Sequence, residues 1–464
     1  MLRRMSTTAL TKSALGKLKV APGPKGCLLF GSLGEMRKDA IGLLSRSAAE
    51  YGDVVRLHLV VHLHLINHPD LVQHVLQGNH TNYQKDVTYD RMKPLVGEGL
   101  LTSNGEFWKR QRRLAQPAFH KQRLAGFART MADSTSTMLD GWHARAKSGE
   151  SFDVAAEMMK LALGIVGRTL FSVDLTGEAD QVGKALTDAL EITNNRFQQL
   201  FLLENLPTPQ NRRFKKAVNI LDKVVNGVIE ARRESGADAG DLLSMLMSAR
   251  DEETGEGMSD QQLRDELMTL FLAGHETTAN LLAWTWYLLS KSPEVERRLH
   301  AEVDEVLSGR APGVEDLGKL VYTRRVIDEV MRLYPPAWLF SREAIAADEL
   351  GGFAIPAKSI VMMSPYVTHR HPAFWENPEG FDPDRFLEDK VKARPRYAYF
   401  PFAGGPRQCI GNAFALMEAT IIVAMVVQRY RLHLVSGAQV APEPTVTLRP
   451  RGGVKVTLKP QPRA

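Results

Sequence analysis

The sequence predicts a mainly α-helical protein with a small β region, folded as a single domain. Helical periodicity runs almost without interruption from Pro69 to about Ile345 and is broken only by short Gly/Pro connections. Strand-like segments stand on both sides of this helical region, at 54–66, 340–346, 353–363 and 444–458. Because strands from both ends flank the helices and no low-complexity linker intervenes, we expect one mixed unit rather than several domains.

Residues 1–34 form a basic leader ahead of the domain, which we place at 35–464. The leader holds six basic residues and no acidic one, and the rest of the chain carries 53 basic and 53 acidic residues. The net charge of +6 therefore belongs to the leader. A formally neutral body lacks the basic face that nucleic acids require, so we expect no nucleic-acid partner. The leader's composition suits a flexible N-terminus or a mitochondrial presequence, and we expect the first.

Two features of the composition predict a cytoplasmic protein. No run of eighteen or more apolar residues is present, so we expect no transmembrane anchor. The chain has only two cysteines, Cys27 and Cys409, which excludes a disulfide framework and fits a reducing compartment.

The strand-like segments are short and follow simple patterns. Residues 54–66 alternate apolar and polar side chains, as a β-hairpin does. The C-terminal segment 444–458 is expected to form a strand pair that turns at Gly452-Gly453.

One helix is predicted to be unusually long and to carry a polar interruption. Ser259 and Gln262 form a capping box, and helical periodicity then continues to about Ser290, over roughly 46 Å. Its apolar middle is interrupted by Ala273-Gly-His-Glu-Thr-Thr278. An interior glycine costs about 1 kcal/mol, and a buried Glu276 without partners would cost more. A zinc-protease motif is excluded because the second histidine would have to stand at Ala279. This helix therefore uses its polar residues for function.

The run from Phe402 to Gly411 presents one cysteine in a glycine-rich loop ahead of an apolar helix that begins at Asn412. Arg407 stands two positions before Cys409. A helix N-terminus and a nearby cation both favour thiolate over thiol. A thiolate in such a tight loop is suited to be the axial ligand of a haem iron.

This run resembles the haem-binding signature of the cytochrome P-450 family, the haem-thiolate monooxygenases. The resemblance extends over about residues 50 to 460 and includes four motifs in the family's order. It implies the family fold, haem b (iron protoporphyrin IX) as cofactor, and Cys409 as the ligand of the iron. Phe402 and Gly411 complete the implied cofactor-binding loop.

The interruption in the long helix is similar to the family's oxygen-activating motif, which reads small residue, Gly, any residue, acid, Thr. Ala273, Gly274, Glu276 and Thr277 match it. The resemblance implies that Gly274 leaves room for dioxygen, that Thr277 hydrogen-bonds to it, and that Glu276 passes protons inward from water.

Two further motifs concern the cofactor's surroundings. Glu329 and Arg332, three residues apart, would alone indicate only a surface ion pair. The resemblance implies that they and Arg385 form a buried charged network that supports the cysteine loop.

Haem carries two propionates, which require cationic or N–H donors. The resemblance implies Trp108 and Arg112, four apart on one helical face, together with Arg342 and Arg407. For Arg342 a solvated position on a strand remains an alternative. The cations next to Arg112, namely Lys109, Arg110 and Arg113, are a candidate docking site for an acidic redox partner.

The implied reaction is insertion of one oxygen atom from O2 into a lipophilic small molecule by hydroxylation or epoxidation. Fatty acid, terpenoid, steroid and polyketide substrates remain open. The pocket is expected to include residues 84–100 and 194–214, with Phe197, Phe201 and Leu202 as apolar lining.

No flavin or nicotinamide fingerprint is present, so a ferredoxin or flavodoxin-type partner with its own reductase is expected to deliver electrons to a monomer. A haem-thiolate peroxygenase or isomerase and a non-catalytic haem sensor are the alternatives. Neither needs the pair Glu276-Thr277.

Overall fold

The computed structural model describes residues 18–26, 31–58, 62–174, 179–197 and 206–461. Several sequence predictions fall outside these ranges: most of the leader, Cys27, and the apolar residues Phe201 and Leu202. The described end of the leader packs against other residues. Ala21 is buried, and the carbonyl of Pro22 accepts a hydrogen bond from the amide of Arg56 at 2.7 Å. The boundary at residue 34 stays a prediction.

Helices dominate the described residues, as predicted. The α-helices are α1 (Leu33–Lys38), α2 (Ala40–Tyr51), α3 (Pro69–Gln73), α4 (Val87–Asp90), α5 (Lys93–Val96), α6 (Gly105–Ala115), α7 (Lys121–Gly141), α8 (His143–Ser148), α9 (Val154–Leu170), α10 (Ala179–Phe197), α11 (Pro209–Ser235), α12 (Leu242–Ser248), α13 (Asp260–Ser290), α14 (Pro293–Leu307), α15 (Val321–Leu333), α16 (Pro365–Thr368), α17 (Glu388–Ala393) and α18 (Asn412–Arg429).

The strands are short. They are β1 (Val54–His58), β2 (His62–Ile66), β3 (Tyr83–Gln84), β4 (Phe152–Asp153), β5 (Phe340–Ala344), β6 (Asp348–Leu350), β7 (Phe353–Ile355), β8 (Ile360–Met363), β9 (Tyr430–Leu434), β10 (Pro442–Pro444), β11 (Leu448–Pro450) and β12 (Lys455–Pro460).

The first of two compact units comprises Met1–Thr88, Ala337–Gly380 and Glu388–Cys409. It contains a five-stranded sheet in the order β1-β2-β8-β5-β3 and a separate pair, β6 with β7. The predicted hairpin is confirmed, because β1 and β2 pair antiparallel. Strand β8 joins β2 in parallel and β5 in antiparallel orientation. The sheet and the chain after it enclose a buried apolar core that includes Ile66, Val361, Met363 and Phe400.

The second unit comprises Tyr89–Pro336, Phe381–Leu387 and Ile410–Ala464, and α13 is its central helix. Helices α9, α11, α15 and α18 all pack against α13. The capping box is confirmed: the Ser259 hydroxyl accepts from the Gln262 amide at 3.3 Å, and Gln262 Oε1 accepts from the Ser259 amide at 2.9 Å. Because α13 is buried on most of its circumference, its apolar residues form no single stripe.

One strand prediction is wrong in its pairing. The C-terminal segment does not form a hairpin, because β11 pairs with β10, whereas β12 pairs with β9 and β4. Gly452 and Gly453 do turn the chain, with φ of 73° and 80°. A side chain at Gly453 would lie 2.0 Å from Asp153 Oδ2, so the turn brings β12 against β4. The strand signal at 353–363 is confirmed, and it corresponds to two strands, β7 and β8, in different sheets.

One helix in the described ranges, α18, is long and apolar enough to cross a membrane by length and composition. Its mean hydropathy is 1.3, but 67% of it is buried inside the protein, as expected of a core helix.

Candidate active site

The cysteine loop of the first unit is folded by its own backbone. The amide of Cys409 donates to the carbonyl of Phe402 at 3.0 Å, and a short 3-10 turn, Gly405–Arg407, lies between them. Gly405 has φ of 66°, and a side chain there would lie 1.8 Å from the carbonyl oxygen of Leu76. Only glycine fits this position. Cys409 is exposed at the end of the loop, where its sulfur can reach a ligand.

Three cations of the first unit are close enough to influence one another. Arg342, on β5, is 4% exposed, so the alternative of a solvated strand position is wrong. Burial holds the pKa of Lys85 well below its usual range, and the charges of Arg342 and Arg407 lower it further, against the effect of Asp86. Basic side chains gathered in this way suit an anionic ligand, such as the two propionates of a haem.

Lys85 was missed by the sequence analysis. It follows β3 as a single lysine with no motif around it, so no local pattern could have indicated its position.

Helix α6 of the second unit carries the predicted pair Trp108 and Arg112. Trp108 is buried, and Arg112 Nε donates to Gln116 Oε1 at 3.2 Å. The neighbouring cations have partners in the chain: Lys109 pairs with Glu106 at 2.6 Å, and Arg113 pairs with Asp251 and Glu253, each at 3.0 Å. Arg110 Nη2 donates to the carbonyl of Gly257 at 2.8 Å. These contacts weaken the hypothesis that the cluster docks a redox partner.

Helix α13 leaves one accessible window in its central part. From Asp265 to Trp286 every residue is buried except Ala273, Gly274 and Thr277. These three stand at positions i, i+1 and i+4, so they share one face of the helix. Within residues 265–286 of the described chain, the accessible positions therefore all belong to the predicted oxygen-activating motif.

Within the window, Thr277 Oγ1 donates to the carbonyl of Ala273 at 2.6 Å. The hydroxyl thus uses its proton in a bond to the preceding turn of the helix. Its oxygen can still accept a hydrogen bond. A side chain at Gly274 would lie 3.1 Å from Val166 Cγ2 of α9. This glycine therefore lets α9 pack closely against α13, in addition to any room it leaves for dioxygen.

Glu276 points to a residue near the C-terminus. Its Oε1 accepts from the Thr447 hydroxyl at 2.8 Å, and Thr447 Oγ1 accepts in turn from Asn280 Nδ2 at 3.0 Å. Burial raises the pKa of Glu276, while Thr447 and the charge of Arg449 lower it. A buried carboxyl with a raised pKa holds a proton more readily than an exposed one, and its hydroxyl partner can pass a proton to it or accept one from it.

Thr447 and Asn280 were also missed by the sequence analysis. Thr447 lies 171 positions after Glu276, and neither residue belongs to a recognisable motif. A third residue, Glu418 on α18, is fully buried; burial holds its pKa well above the usual range, against the Thr278 hydroxyl.

The charged network predicted from Glu329, Arg332 and Arg385 is present in the second unit. Glu329 accepts from Arg332 Nε at 2.7 Å and from Arg332 Nη2 at 2.8 Å, and Arg385 Nε lies 3.4 Å from Glu329 Oε1. The amide of Asp382 adds a fourth contact at 2.9 Å. All three charged side chains are buried. The pair is therefore a core element and not the surface ion pair that its spacing alone would indicate.

The apolar helix after the cysteine begins at Asn412, as predicted, with Gly411 as its N-terminal flank. Gly411 has φ of −90°, and the nearest atom to an added side chain would be a Phe119 ring carbon at 3.9 Å. Neither the backbone conformation nor crowding by described residues requires glycine at this position.

Comparisons with known proteins agree with this geometry. The sequence profile described as "Cytochrome P450" matches residues 21–458 and so runs through both units as one domain. The chain is 40% identical to cyclooctatin synthase of Streptomyces melanosporofaciens, over 96% of this chain and 96% of that protein. It is 34% identical to pentalenene oxygenase of Streptomyces avermitilis, over 92% of this chain and 94% of that protein.

A solved structure shows the same fold. The crystal structure of the cytochrome P450DA haem domain has a TM-score of 0.88 and 28% identity, covering 96% of this chain and 98% of that chain. The predicted fold class, the haem cofactor and the enzyme class are confirmed. The chain belongs to the cytochrome P450 family and is a haem-containing monooxygenase.

Proposed function

We propose that this protein inserts one atom of O2 into a terpenoid, by hydroxylation or epoxidation. Among the relatives, the names cyclooctatin synthase, cyclooctat-9-en-7-ol 5-monooxygenase and pentalenene oxygenase refer to compounds of this class. The accessible window Ala273, Gly274 and Thr277 in an otherwise buried helix is the observation that carries the proposal. It presents a hydroxyl at an opening, and the neighbouring acid, Glu276, is buried beside it.

We assign the cofactor to residues whose chemistry suits its parts: a thiolate for the iron, basic side chains for the propionates and a glycine beside the ring. Cys409 would supply the thiolate to the iron, and its loop packs closely on Leu76 at Gly405. Arg342, Arg407 and Lys85 receive the propionates of the haem, with Trp108 and Arg112 as further donors. Gly411 would allow close approach of the porphyrin, which would account for a glycine that its own conformation does not need.

When bound, the haem supplies the redox chemistry that activates dioxygen, and the protein supplies protons. The overall reaction takes substrate, O2, two electrons and two protons to oxidised substrate and water. We assign proton uptake from water to Glu276 and proton holding at the reaction side to Thr277 Oγ1. Thr447 and Asn280 orient the Glu276 carboxyl between transfers, and Glu329 with Arg332 and Arg385 supports the cysteine loop.

The electrons come from a separate donor, which we propose to be a ferredoxin or flavodoxin-type protein with its own reductase. We further propose a cytoplasmic location and a monomeric state. Reconstitution with a ferredoxin pair or a flavodoxin pair, followed by the rate of reduction, distinguishes the two donors. Size-exclusion chromatography with light scattering tests the oligomeric state.

Spectroscopy tests the proposal directly. The reduced, CO-bound protein should show the red-shifted Soret band of thiolate ligation, and Cys409→Ala should abolish it. Titration with cyclic terpenoid hydrocarbons and alcohols, beside fatty acids, steroids and macrolide polyketides as controls, should give low-spin to high-spin shifts with the terpenoids only. Product analysis with NADPH and a redox pair should then show addition of one oxygen. A protein that shows the Soret band but shifts only with a control class would refute the substrate class and not the enzyme class.

A further inference from the structure

Two adjacent acids near the start of α13 hold a segment of the second unit by its backbone amides. Asp265 Oδ2 accepts from the amide of Glu98 at 2.8 Å, and Glu266 Oε2 accepts from the amide of Leu100 at 3.0 Å. Residues 95–103, which these contacts anchor, are called the latched segment below. The two contacts follow one another in the same order along both stretches of chain, so they fix the register of the latched segment on the helix.

Arg264 extends the attachment by one residue and connects it to a second helix. Its Nη2 donates to the carbonyl of Leu95 at 3.1 Å, and its Nε donates to Asp222 of α11 at 2.8 Å. Gln261 Nε2 donates to Asp265 Oδ1 at 2.8 Å, which holds that carboxylate in place. Two of the side chains that bind the segment, Arg264 and Asp265, are thus themselves oriented by hydrogen bonds.

Two glycines let the latched segment lie directly on the helix. Gly97 has φ of 65°, and a side chain there would lie 2.0 Å from the Asp265 carboxylate carbon. A side chain at Gly99 would lie 2.3 Å from Thr269 Oγ1. Larger residues at either position would push the segment away from the helix, so the glycines and the acids serve the same arrangement.

The rest of the segment closes on itself and leaves two apolar side chains partly accessible. The Thr102 hydroxyl donates to the carbonyl of Gly97 at 2.7 Å, and the Ser103 hydroxyl donates to that of Gly99 at 2.8 Å. Leu100 and Leu101, which stand between Gly99 and Thr102, are only partly buried. Leu95 and Val96, by contrast, are fully buried. Rigid backbone therefore presents two apolar side chains, as a specificity surface requires.

The acids are unfavourable for helix packing alone. Glu266 is fully buried, and its Oε1 has no hydrogen-bond partner among the described residues. Burial raises the pKa of Glu266 to about 8; the Leu100 amide opposes this and Asp265 adds to it. An apolar residue at 266 would avoid this cost, so what Glu266 contributes is the placement of the latched segment.

We propose that Asp265 and Glu266 are positioning residues that fix the latched segment on α13, and that they thereby determine which ligands fit beside the haem. The proposal rests on the proposed function in one respect, because it assigns the latched segment to the substrate pocket. It does not depend on the substrate being a terpenoid.

The test uses nitrogen ligands of the haem iron, which report pocket size without any assumption about the substrate. Dissociation constants of imidazole and of a bulky triarylmethyl imidazole are measured by spectral titration of the full-length haem protein. Asp265→Ala and Glu266→Ala should change the ratio of the two constants by about tenfold, and imidazole alone by less than about twofold. Asp265→Asn and Glu266→Gln, which keep an acceptor, should bring the ratio back to within about threefold of the wild type.

Glu302→Ala is the matched control. Glu302 also accepts backbone amides with its carboxylate, from Tyr322 and Thr323 at the start of α15, and should lower stability without changing the ratio. Should the alanine variants fold poorly, Gly99→Ala displaces the latched segment while both acids remain, and it should shift the ratio in the same way. Variants with a normal CO-bound spectrum and an unchanged ratio would overturn the proposal. A changed ratio without terpenoid binding would refute only the proposed substrate class.

Discussion

Buried carboxyls occur in two regions of the second unit, and the difference lies in their partners. Glu329 of α15 contacts two guanidinium groups, those of Arg332 and Arg385. On α13, Glu276 contacts the Thr447 hydroxyl, and Glu266 contacts a backbone amide. Burial raises the pKa in each case, but only at Glu329 do two directly contacting cations oppose it.

This difference distinguishes a carboxyl with a structural role from carboxyls that can transfer protons. A carboxylate held by guanidinium groups is a fixed structural element, because loss of either partner leaves an uncompensated charge in the core. A carboxyl held by a neutral donor can change its protonation state without losing a counter-ion. We therefore expect Glu329 to respond to mutation through stability, and the carboxyls of α13 to respond through pH and proton delivery.

The largest effect is expected at Glu329. Glu329→Ala leaves Arg332 buried without its partner and should cost about 3–5 kcal/mol of unfolding free energy, with loss of bound haem. Urea unfolding and the haem content of the purified protein measure it. Glu294→Ala, which removes an exposed ion pair with Arg297, is the control and should cost under about 0.5 kcal/mol. Equal losses for the two variants would refute the structural role.

A second prediction concerns Glu266 and pH. Its folded pKa of about 8 lies above the ordinary value of 4.5, so the folded state holds a proton that the unfolded state releases. The free energy of unfolding should therefore fall as pH rises from 4.5 to 8, by roughly 5 kcal/mol, and stay level above that. Glu266→Gln should remove this component. Parallel stability curves for the variant and the wild type would contradict the prediction.

The third prediction addresses proton delivery at the window of α13. Glu276→Gln and Thr277→Ala should each slow product formation by about 100-fold and divert electrons to peroxide, because protons reach the reacting oxygen too late. NADPH consumption, peroxide release and product are measured together. Haem content and the CO-bound spectrum should stay unchanged, in contrast to the Glu329 variant. No change from the wild type in Thr277→Ala would favour a peroxygenase, an isomerase or a sensor.

A smaller effect is expected when only the partner of Glu276 is removed. Thr447→Val deletes the hydroxyl that lowers the pKa of Glu276, so this pKa should rise further. The limb of the pH–rate profile that reports Glu276 should move to higher pH, and the rate at neutral pH should fall about fivefold. Thr447→Ser keeps the hydroxyl and should behave as the wild type.

The smallest effect is expected for the surface cations of α6. Arg110 and Lys109 already contact a carbonyl and an acid within the chain. Lys109→Glu should therefore change the rate of reduction by the redox partner, and the salt dependence of that rate, by less than about twofold. A large loss that disappears at high salt would restore the docking hypothesis.

Features that depend on neighbouring residues were predictable from the sequence. The capping box at Ser259, the loop around Cys409 and the pair Glu329 with Arg332 are made within a few positions of chain. Contacts at such short spacing leave a recognisable pattern, although the burial of Glu329 and Arg332 followed only from the family resemblance.

Contacts between distant segments were not predictable. Thr447 and Lys85 are single residues brought into the site by strands whose pairing the sequence does not specify. The C-terminal hairpin was predicted wrongly for the same reason. Gly452 and Gly453 indicate a turn, but the partner of each strand is set by the packing of a distant element such as β4.

The close fit at Gly274 couples two helices by volume. A methyl group at position 274 would lie 3.1 Å from Val166 Cγ2. The two side chains therefore compete for the same space. In homologous enzymes the sizes of these two side chains should consequently covary, with a larger residue at one position matched by a smaller residue at the other. Engineering of the helix at 274 therefore has to begin with the residue that faces it.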